Sequence, residues 1–164
     1  YVDMLIPVLE DSLGKGVVHA SDTPNFIANR IGVYGMMVTL REAKKRNLSI
    51  EDVDGLTGSL IGHPKSATFR TADVVGLDTL AFVAKNAFDK CVDDTEREIF
   101  DIPDYLKTIL DNGWLGQKSG QGFYKKISKG KIHSLDLNTL EYSPQEKKRF
   151  TGVRLARQNI NLKI

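Results

Sequence analysis

Cysteine is almost missing from this chain of 164 residues: Cys91 stands alone, which excludes an internal disulfide framework and fits a reducing compartment. Long apolar runs are missing too. None approaches the roughly 18 to 20 residues that span a bilayer, so no membrane-crossing helix is expected. Histidine is scarce, and His19, His63 and His133 lack the spacing of metal ligands, with no second cysteine to complete a zinc site. No charge of one sign dominates, because 23 basic residues face 21 acidic ones for a net of +2. That balance argues against a nucleic-acid partner, and the basic residues near the end, Lys147, Lys148, Arg149, Arg154 and Arg157, read as a solvated helix face. A secretory signal is also lacking: Tyr1 to Leu13 have neither a basic start nor a small-residue cleavage site. They open inside an amphipathic pattern without an initiator methionine, which reads as a cut from a longer protein.

What remains is a composition with 41% hydrophobic residues and no repeat or low-complexity linker, enough for one ordinary core with a small appendage. A soluble, cytoplasmic protein is expected. Met4, Leu5, Val8, Leu9 and Leu13 recur at helical spacing, Gly14 and Gly16 stop the pattern, and Val17 to Ala20 follow as a short strand. Thr23 and Pro24 then predict the start of a helix running to about Arg46, with Phe26, Ile27, Ile31, Tyr34, Met37, Leu40 and Ala43 facing partly inward. Ser49 with Asp52 resembles a capping box and opens a helix to about Leu60. A turn of helix from Phe69 to Val75 stops at Gly76, Asp78 caps the next helix, and Pro103 opens another that Gly113 closes. From Phe123 the period shifts toward two, and residues 123–135 read as a small, polar, peripheral hairpin. Ser143-Pro144-Gln145-Glu146 is a full capping box and predicts a last, basic helix. The fold class is mainly α.

Three features invite a chemical reading, and two fail on spacing. Gly116 to Gly122 is glycine-rich, but Gln117 rather than glycine precedes Lys118-Ser119 and the lead-in is a helix end, so a phosphate loop does not fit; turns that pack Trp114 and Phe123 do. Ser134 beside His133 lies in the hairpin, without the elbow that a nucleophile requires. Asn29 is the third. It falls near the start of a helix amid apolar residues, with Gly32 and Gly35 thinning the helix one and two turns on, where a ligand or another backbone could approach. By pattern alone, an exposed asparagine beside a tight helix contact is the favoured account.

Residues Asp22-Thr23-Pro24-Asn25-Phe26-Ile27-Ala28-Asn29-Arg30 resemble the Asp-[Ser/Thr]-Pro-Gly-Phe-[Ile/Val]-x-Asn-Arg signature of the 3-hydroxyacyl-CoA dehydrogenase C-terminal domain. Asp73 to Thr79 and Asn112 to Tyr124 are similar to two further segments of that family, in the same order. Two departures stand out. Asn25 replaces the signature's glycine, and the loop Gly62-His63-Pro64-Lys65-Ser66-Ala67-Thr68-Phe69 is one residue longer than the family's Gly-x-Pro-Met-Gly-Pro-Phe. The longer loop is similar to the branch fused to an enoyl-CoA hydratase domain.

The resemblance implies a multi-helix domain like the C-terminal domain of 6-phosphogluconate dehydrogenase. Residues 1–20 would be the remnant of a preceding nucleotide-binding domain, 21–126 the helical domain, and 127–164 a hairpin and basic helix leading toward a following domain. It further implies a two-domain enzyme that oxidises L-3-hydroxyacyl-CoA in fatty-acid β-oxidation, passing hydride to NAD. The base, its orienting glutamate and the cofactor site would belong to the nucleotide-binding domain, so the fragment alone would bind no NAD and be inactive. Asn29 would be the one catalytic contributor here, with His63, Pro64 and Lys65 as a substrate-side wall. The implied partners are the acyl-CoA substrate, the nucleotide-binding domain, a second copy in a homodimer and a fused hydratase domain. A structural dimerisation module, or the helical domain of a related β-hydroxyacid dehydrogenase without a CoA substrate, are the alternatives.

Overall fold

The computed structural model describes residues 1–146 and 150–159, with side chains as far as residue 156. Its longest helix, α2 (Ala28–Lys45), buries Val33, Met37, Leu40 and Ala43, spaced four, three and three residues apart on one stripe. At about 1.5 Å per residue it runs about 27 Å, and the other elements gather around it. Helix α3 (Ile50–Leu56) presents Ile50 and Val53, while α5 (Leu77–Lys90) presents Leu77, Leu80, Ala81, Ala84 and Ala87. The alanines on α5 let the helices approach closely. Helix α6 (Asp104–Asp111) closes that side with Tyr105, Leu106 and Ile109, and the Tyr105 hydroxyl donates to the Leu40 carbonyl at 3.2 Å. Between α3 and α5 sits the short α4 (Phe69–Val75), whose Phe69 meets Phe123 edge to face with ring centroids 4.7 Å apart.

Strands β1 (Tyr124–Ser128), β2 (Lys131–Leu135) and β3 (Tyr142–Pro144) form an antiparallel sheet in the order β1-β2-β3. The expected hairpin is present, but it is neither wholly polar nor wholly peripheral. Tyr124, Ser134, Leu135 and Leu137 are buried against the helices, and the 126/127 division falls inside β1. The third strand was not foreseen. Ser143 and Pro144, read as a helix start, pair instead with Ser134 and His133, because an edge strand tolerates a proline and β2 has an open edge to fill. Tyr142 secures that choice by packing on Trp114 at 5.4 Å and donating its hydroxyl to the Gly122 carbonyl. The last helix, α7, starts later, at Thr151–Asn159; Lys147, Lys148 and Arg149 lie outside the described residues.

Other expectations are corrected at element ends. Helix α1 (Val2–Pro7) continues as a wider π turn over Val8–Ser12, but Val17 to Ala20 join no strand among the described residues, since no neighbouring strand offers them a ladder. Pro24 does not open α2; residues 24–27 form a turn and the helix starts at Ala28, leaving Phe26, Ile27 and Ile31 exposed rather than inward. The capping hydroxyl of Ser49 does accept the Asp52 N–H at 3.2 Å, yet α3 ends at Leu56, and a separate 3-10 turn covers Ser59–Ile61. Asp78 is one residue inside α5 and does not cap it: Gly76, with φ of 98°, is the cap, and the Asp78 carboxylate pairs with Lys118 at 2.6 Å. That pairing holds its carboxyl below the ordinary carboxylate value.

Two carboxylates, Asp73 buried and Asp54 half-buried, join the layers. Asp54, on α3, accepts the N–H groups of Thr68, Phe69 and Arg70 at 3.0, 2.7 and 3.1 Å, meeting the unpaired donors and positive dipole end of α4. It also accepts the Tyr124 hydroxyl at 2.7 Å, and Arg70 lies over the Tyr124 ring at 4.3 Å. At the other end of α4, Asp73 accepts the Phe123 and Tyr124 N–H groups, both at 2.8 Å. The glycine-rich segment is shaped by that carboxylate. A β-carbon on Gly116 would lie 2.4 Å from the Asp73 carbonyl oxygen, and one on Gly122 would lie 2.3 Å from Asp73 Oδ1.

Gly122→Ala is therefore expected to cost about 2–4 kcal/mol in chemical denaturation, since the loop and Asp73 must separate. Gly130→Ala, in open space at the hairpin tip with φ of 82°, should cost only about 1 kcal/mol. Burial pushes the Asp73 carboxyl from 3.8 up to about 6, against the pull of the two N–H groups and with help from the Asp54 charge. The folded form thus favours the neutral acid, a contribution fully present below pH 4 and lost as pH rises through 6. Stability against denaturant should fall by up to about 3 kcal/mol between pH 4 and pH 7, where the exposed, ion-paired carboxylates of lowered value are already charged. Asp73→Asn, neutral at every pH, is expected to remove most of that slope.

Candidate functional site

Asn29 stands on the first turn of α2, and the chain just before it is unusual. After the Thr23–Phe26 turn, closed by the Phe26 N–H on the Thr23 carbonyl at 3.0 Å, Asn25 and Phe26 both take positive φ, 65° and 47°. No side chain caps α2. Instead the turn is tied sideways: Asn25 Nδ2 donates to the Val83 carbonyl at 3.0 Å and Asn86 Nδ2 donates to Asn25 Oδ1 at 2.9 Å, both partners lying on α5. One residue past Asn29, Arg30 pairs with Asp94, and one turn further the Tyr34 hydroxyl donates to Glu96. Arg41 continues the row by donating to the carbonyls of Glu98 and Asp101, both at 2.7 Å. Residues 30, 34 and 41 share one face of the helix, so α2 carries a polar seam that fastens residues 94–101.

The charges along the seam act on each other. The hydrogen bond from Arg30 holds the Asp94 carboxyl below its ordinary value, and the same bond raises the Arg30 guanidinium. Glu96 pushes the Tyr34 hydroxyl up by accepting its hydrogen bond. Asn29 faces away from this seam. Its amide is exposed and enters no hydrogen bond within the described residues, and its neighbours Phe26 and Ile31 are 60% and 67% exposed. An exposed primary amide offers one donor NH2 and one acceptor oxygen to whatever covers it.

The predicted wall residues have separate supports. His63 Nδ1–H donates to the Thr57 carbonyl, 3.1 Å away, Ala67 N–H closes a turn on the Pro64 carbonyl at 2.9 Å, and Lys65 is exposed without an ion pair among the described residues. The loop is anchored through the Thr57 and Thr68 hydroxyls, 2.8 Å apart, and through the Thr68 N–H, which donates to Asp54 of α3 at 3.0 Å. No hydrogen bond or ion pair among the described residues joins this loop to Asn29. Neither does the glycine-rich segment offer a phosphate cradle, since the Phe123 and Tyr124 N–H groups that follow it are taken by Asp73. Among the described residues no group of three or more His, Cys, Asp or Glu side chains is placed to hold a metal ion.

Reasoning from sequence missed the seam and the Asn25 tie. The spacing of Arg30, Tyr34 and Arg41 was readable as one helical face, but their partners lie 57 to 64 residues away, beyond any local pattern. Asn25 read only as a substitution for glycine, and its two hydrogen bonds depend on where α5 lies.

Comparison with known proteins follows the same segment. The family model described as "3-hydroxyacyl-CoA dehydrogenase, C-terminal domain" matches residues 26–126. A probable 3-hydroxyacyl-CoA dehydrogenase of Bacillus subtilis is 54% identical over 149 residues, covering 91% of this chain and 19% of that protein. A putative fatty acid oxidation complex trifunctional enzyme of Rickettsia prowazekii is 26% identical over 143 residues, covering 85% of this chain and 20% of that protein. The crystal structure of Mycobacterium tuberculosis FadB2 superimposes with a TM-score of 0.65 at 30% identity, over 76% of this chain and 42% of that one. The chain thus spans about a fifth of the length of these two relatives. With the helical architecture, the segment beginning at Phe26 and these matches in agreement, the chain belongs to the 3-hydroxyacyl-CoA dehydrogenase C-terminal domain family.

Proposed function

We propose that this domain is the helical half of an NAD-dependent L-3-hydroxyacyl-CoA dehydrogenase of fatty-acid β-oxidation, and that Asn29 is its catalytic contribution. The observation that carries the reading is the Asn29 amide, exposed at the start of a tied-down helix between Phe26 and Ile31. In the reaction, the C3 hydrogen leaves the alcohol as hydride, the hydroxyl proton passes to a base, and a 3-oxoacyl-CoA remains. NAD, which a separate nucleotide-binding domain would hold, would supply the hydride acceptor. The Asn29 amide donates a hydrogen bond to the C3 oxygen, whose charge grows as its proton departs, and so stabilises the transition state more than the ground state. His63, Pro64 and Lys65 form an outer wall for the acyl-CoA. A fused enoyl-CoA hydratase domain would deliver the 3-hydroxyacyl-CoA as its own product; the Rickettsia relative, titled a trifunctional enzyme, supports that arrangement.

A second role, as a homodimerisation surface, is favoured by Phe82, 74% exposed on α5, and by the exposed Val74 and Val75 at the end of α4. The two roles use different residues and are compatible.

In the enzyme that carries both domains, Asn29→Ala is expected to lower kcat at least tenfold in an assay of NADH formation from a 3-hydroxyacyl-CoA, and the helical domain alone should give no turnover. Near-normal rates would remove Asn29 from the catalytic role. Phe82→Asp should halve the mass seen by light scattering while leaving the helical circular dichroism unchanged; an unaltered mass would place the interface elsewhere.

A further inference from the structure

Two consecutive side-chain-bearing residues with positive φ are rare, and a phenylalanine there more so than an asparagine. Such a turn persists only where its surroundings over-determine it. Here they do. Asn25 uses both ends of its amide on α5, donating to the Val83 carbonyl and accepting from Asn86, and positions 83 and 86 are neighbours on one helix face. Helix α5 is itself seated in the core by Leu80, Ala84 and Ala87. The turn is thereby referred to a rigid element instead of to its own helix, which has no capping side chain.

Asn29 lies between two such ties, the Asn25 amide four residues before it and the Arg30–Asp94 pair one residue after. Both contacts are partly buried, but the Arg30 pair reaches a loop, whereas the Asn25–Asn86 contact reaches a helix seated in the core. The direction in which the first turn of α2 leaves its support is therefore set chiefly by Asn25 and Asn86. We propose that Asn86, acting through Asn25, is a positioning residue that fixes where the Asn29 amide meets the substrate. The proposal rests on the assignment of Asn29 to the reacting centre made above. Neither Asn86 nor Asn25 touches the substrate. Their effect is on the place of a donor that must meet a developing oxyanion, where a displacement of a fraction of an ångström is felt in rate more than in binding.

The test is a double-mutant cycle in the enzyme carrying both domains, with kcat and KM measured separately. Asn86→Ala is expected to lower kcat about five- to tenfold with KM changed less than twofold, and to add less than about twofold in an Asn29→Ala background. Asn25→Gly, which keeps the backbone free to take positive φ while removing the amide, should reproduce the same loss, and it carries the test if Asn86→Ala fails to fold. An equal loss in both backgrounds would mean that Asn86 acts on the fold at large and would overturn the proposal. So would an unchanged kcat for both variants while Asn29→Ala alone costs tenfold or more. An active Asn29→Ala enzyme is read from that arm by itself, and it overturns the assignment of Asn29 together with the positioning that depends on it.

Discussion

The Asp73 carboxylate, with the Phe123 and Tyr124 N–H groups upon it, is the contact on which the rest of the domain depends. It places the end of α4 against the start of β1 and draws the glycine-rich turn so close that Gly116 and Gly122 have no room for a side chain. Phe123 is delivered by the same contact onto Phe69 in the centre of the core. Asp54 repeats the device at the other end of α4, receiving three N–H groups and the Tyr124 hydroxyl. A buried carboxylate costs desolvation, and a hydrogen-bonded one offsets that cost while specifying a single arrangement. Helix α4 has only seven residues, too few for propensity alone to hold it, so its two ends are held by acids.

With that junction made, α2 can serve as a beam with two unlike faces. One buries Val33, Met37, Leu40 and Ala43; an adjoining row, Arg30, Tyr34 and Arg41, fastens residues 94–101. Asn29 belongs to neither. It is exposed and makes no hydrogen bond within the described residues, which leaves its amide free for whatever covers that end of the helix. The chemistry assigned to Asn29 asks for a donor that does not wander, and the ties on either side of it meet that demand without crowding the amide itself.

Much of the fold was legible because its determinants are local. The stripe on α2, the Ser49 cap, the stop at Gly76 and the closing Gly113, with φ of 71°, all follow from spacing or from the conformations one residue type allows. The errors fall where local preference met a distant partner. Thr23 and Pro24 carry the signs of a helix start, but Asn25 is claimed by α5 and the helix waits until Ala28. Ser143 and Pro144 carry them equally, and the open edge of β2 takes them into a strand. At the site, Asn29 could be named in advance by its resemblance to a family signature, and His63, Pro64 and Lys65 by their place in a variant loop. That Asn25 and Asn86 stand behind Asn29 could not.

By itself, the order of residues determined the helical class and the positions of most elements, since periodicity, caps and glycines act within a turn or two of chain, and it carries the family signature around Asn29. Only the tertiary structure decided which polar groups would satisfy one another. A carboxylate or amide has several partners within reach in sequence, and which it takes is settled by the approach of elements 50 to 70 residues apart. Asn29, exposed between the Asn25 and Arg30 ties, owes its candidacy to the first kind of information and its fixed place to the second.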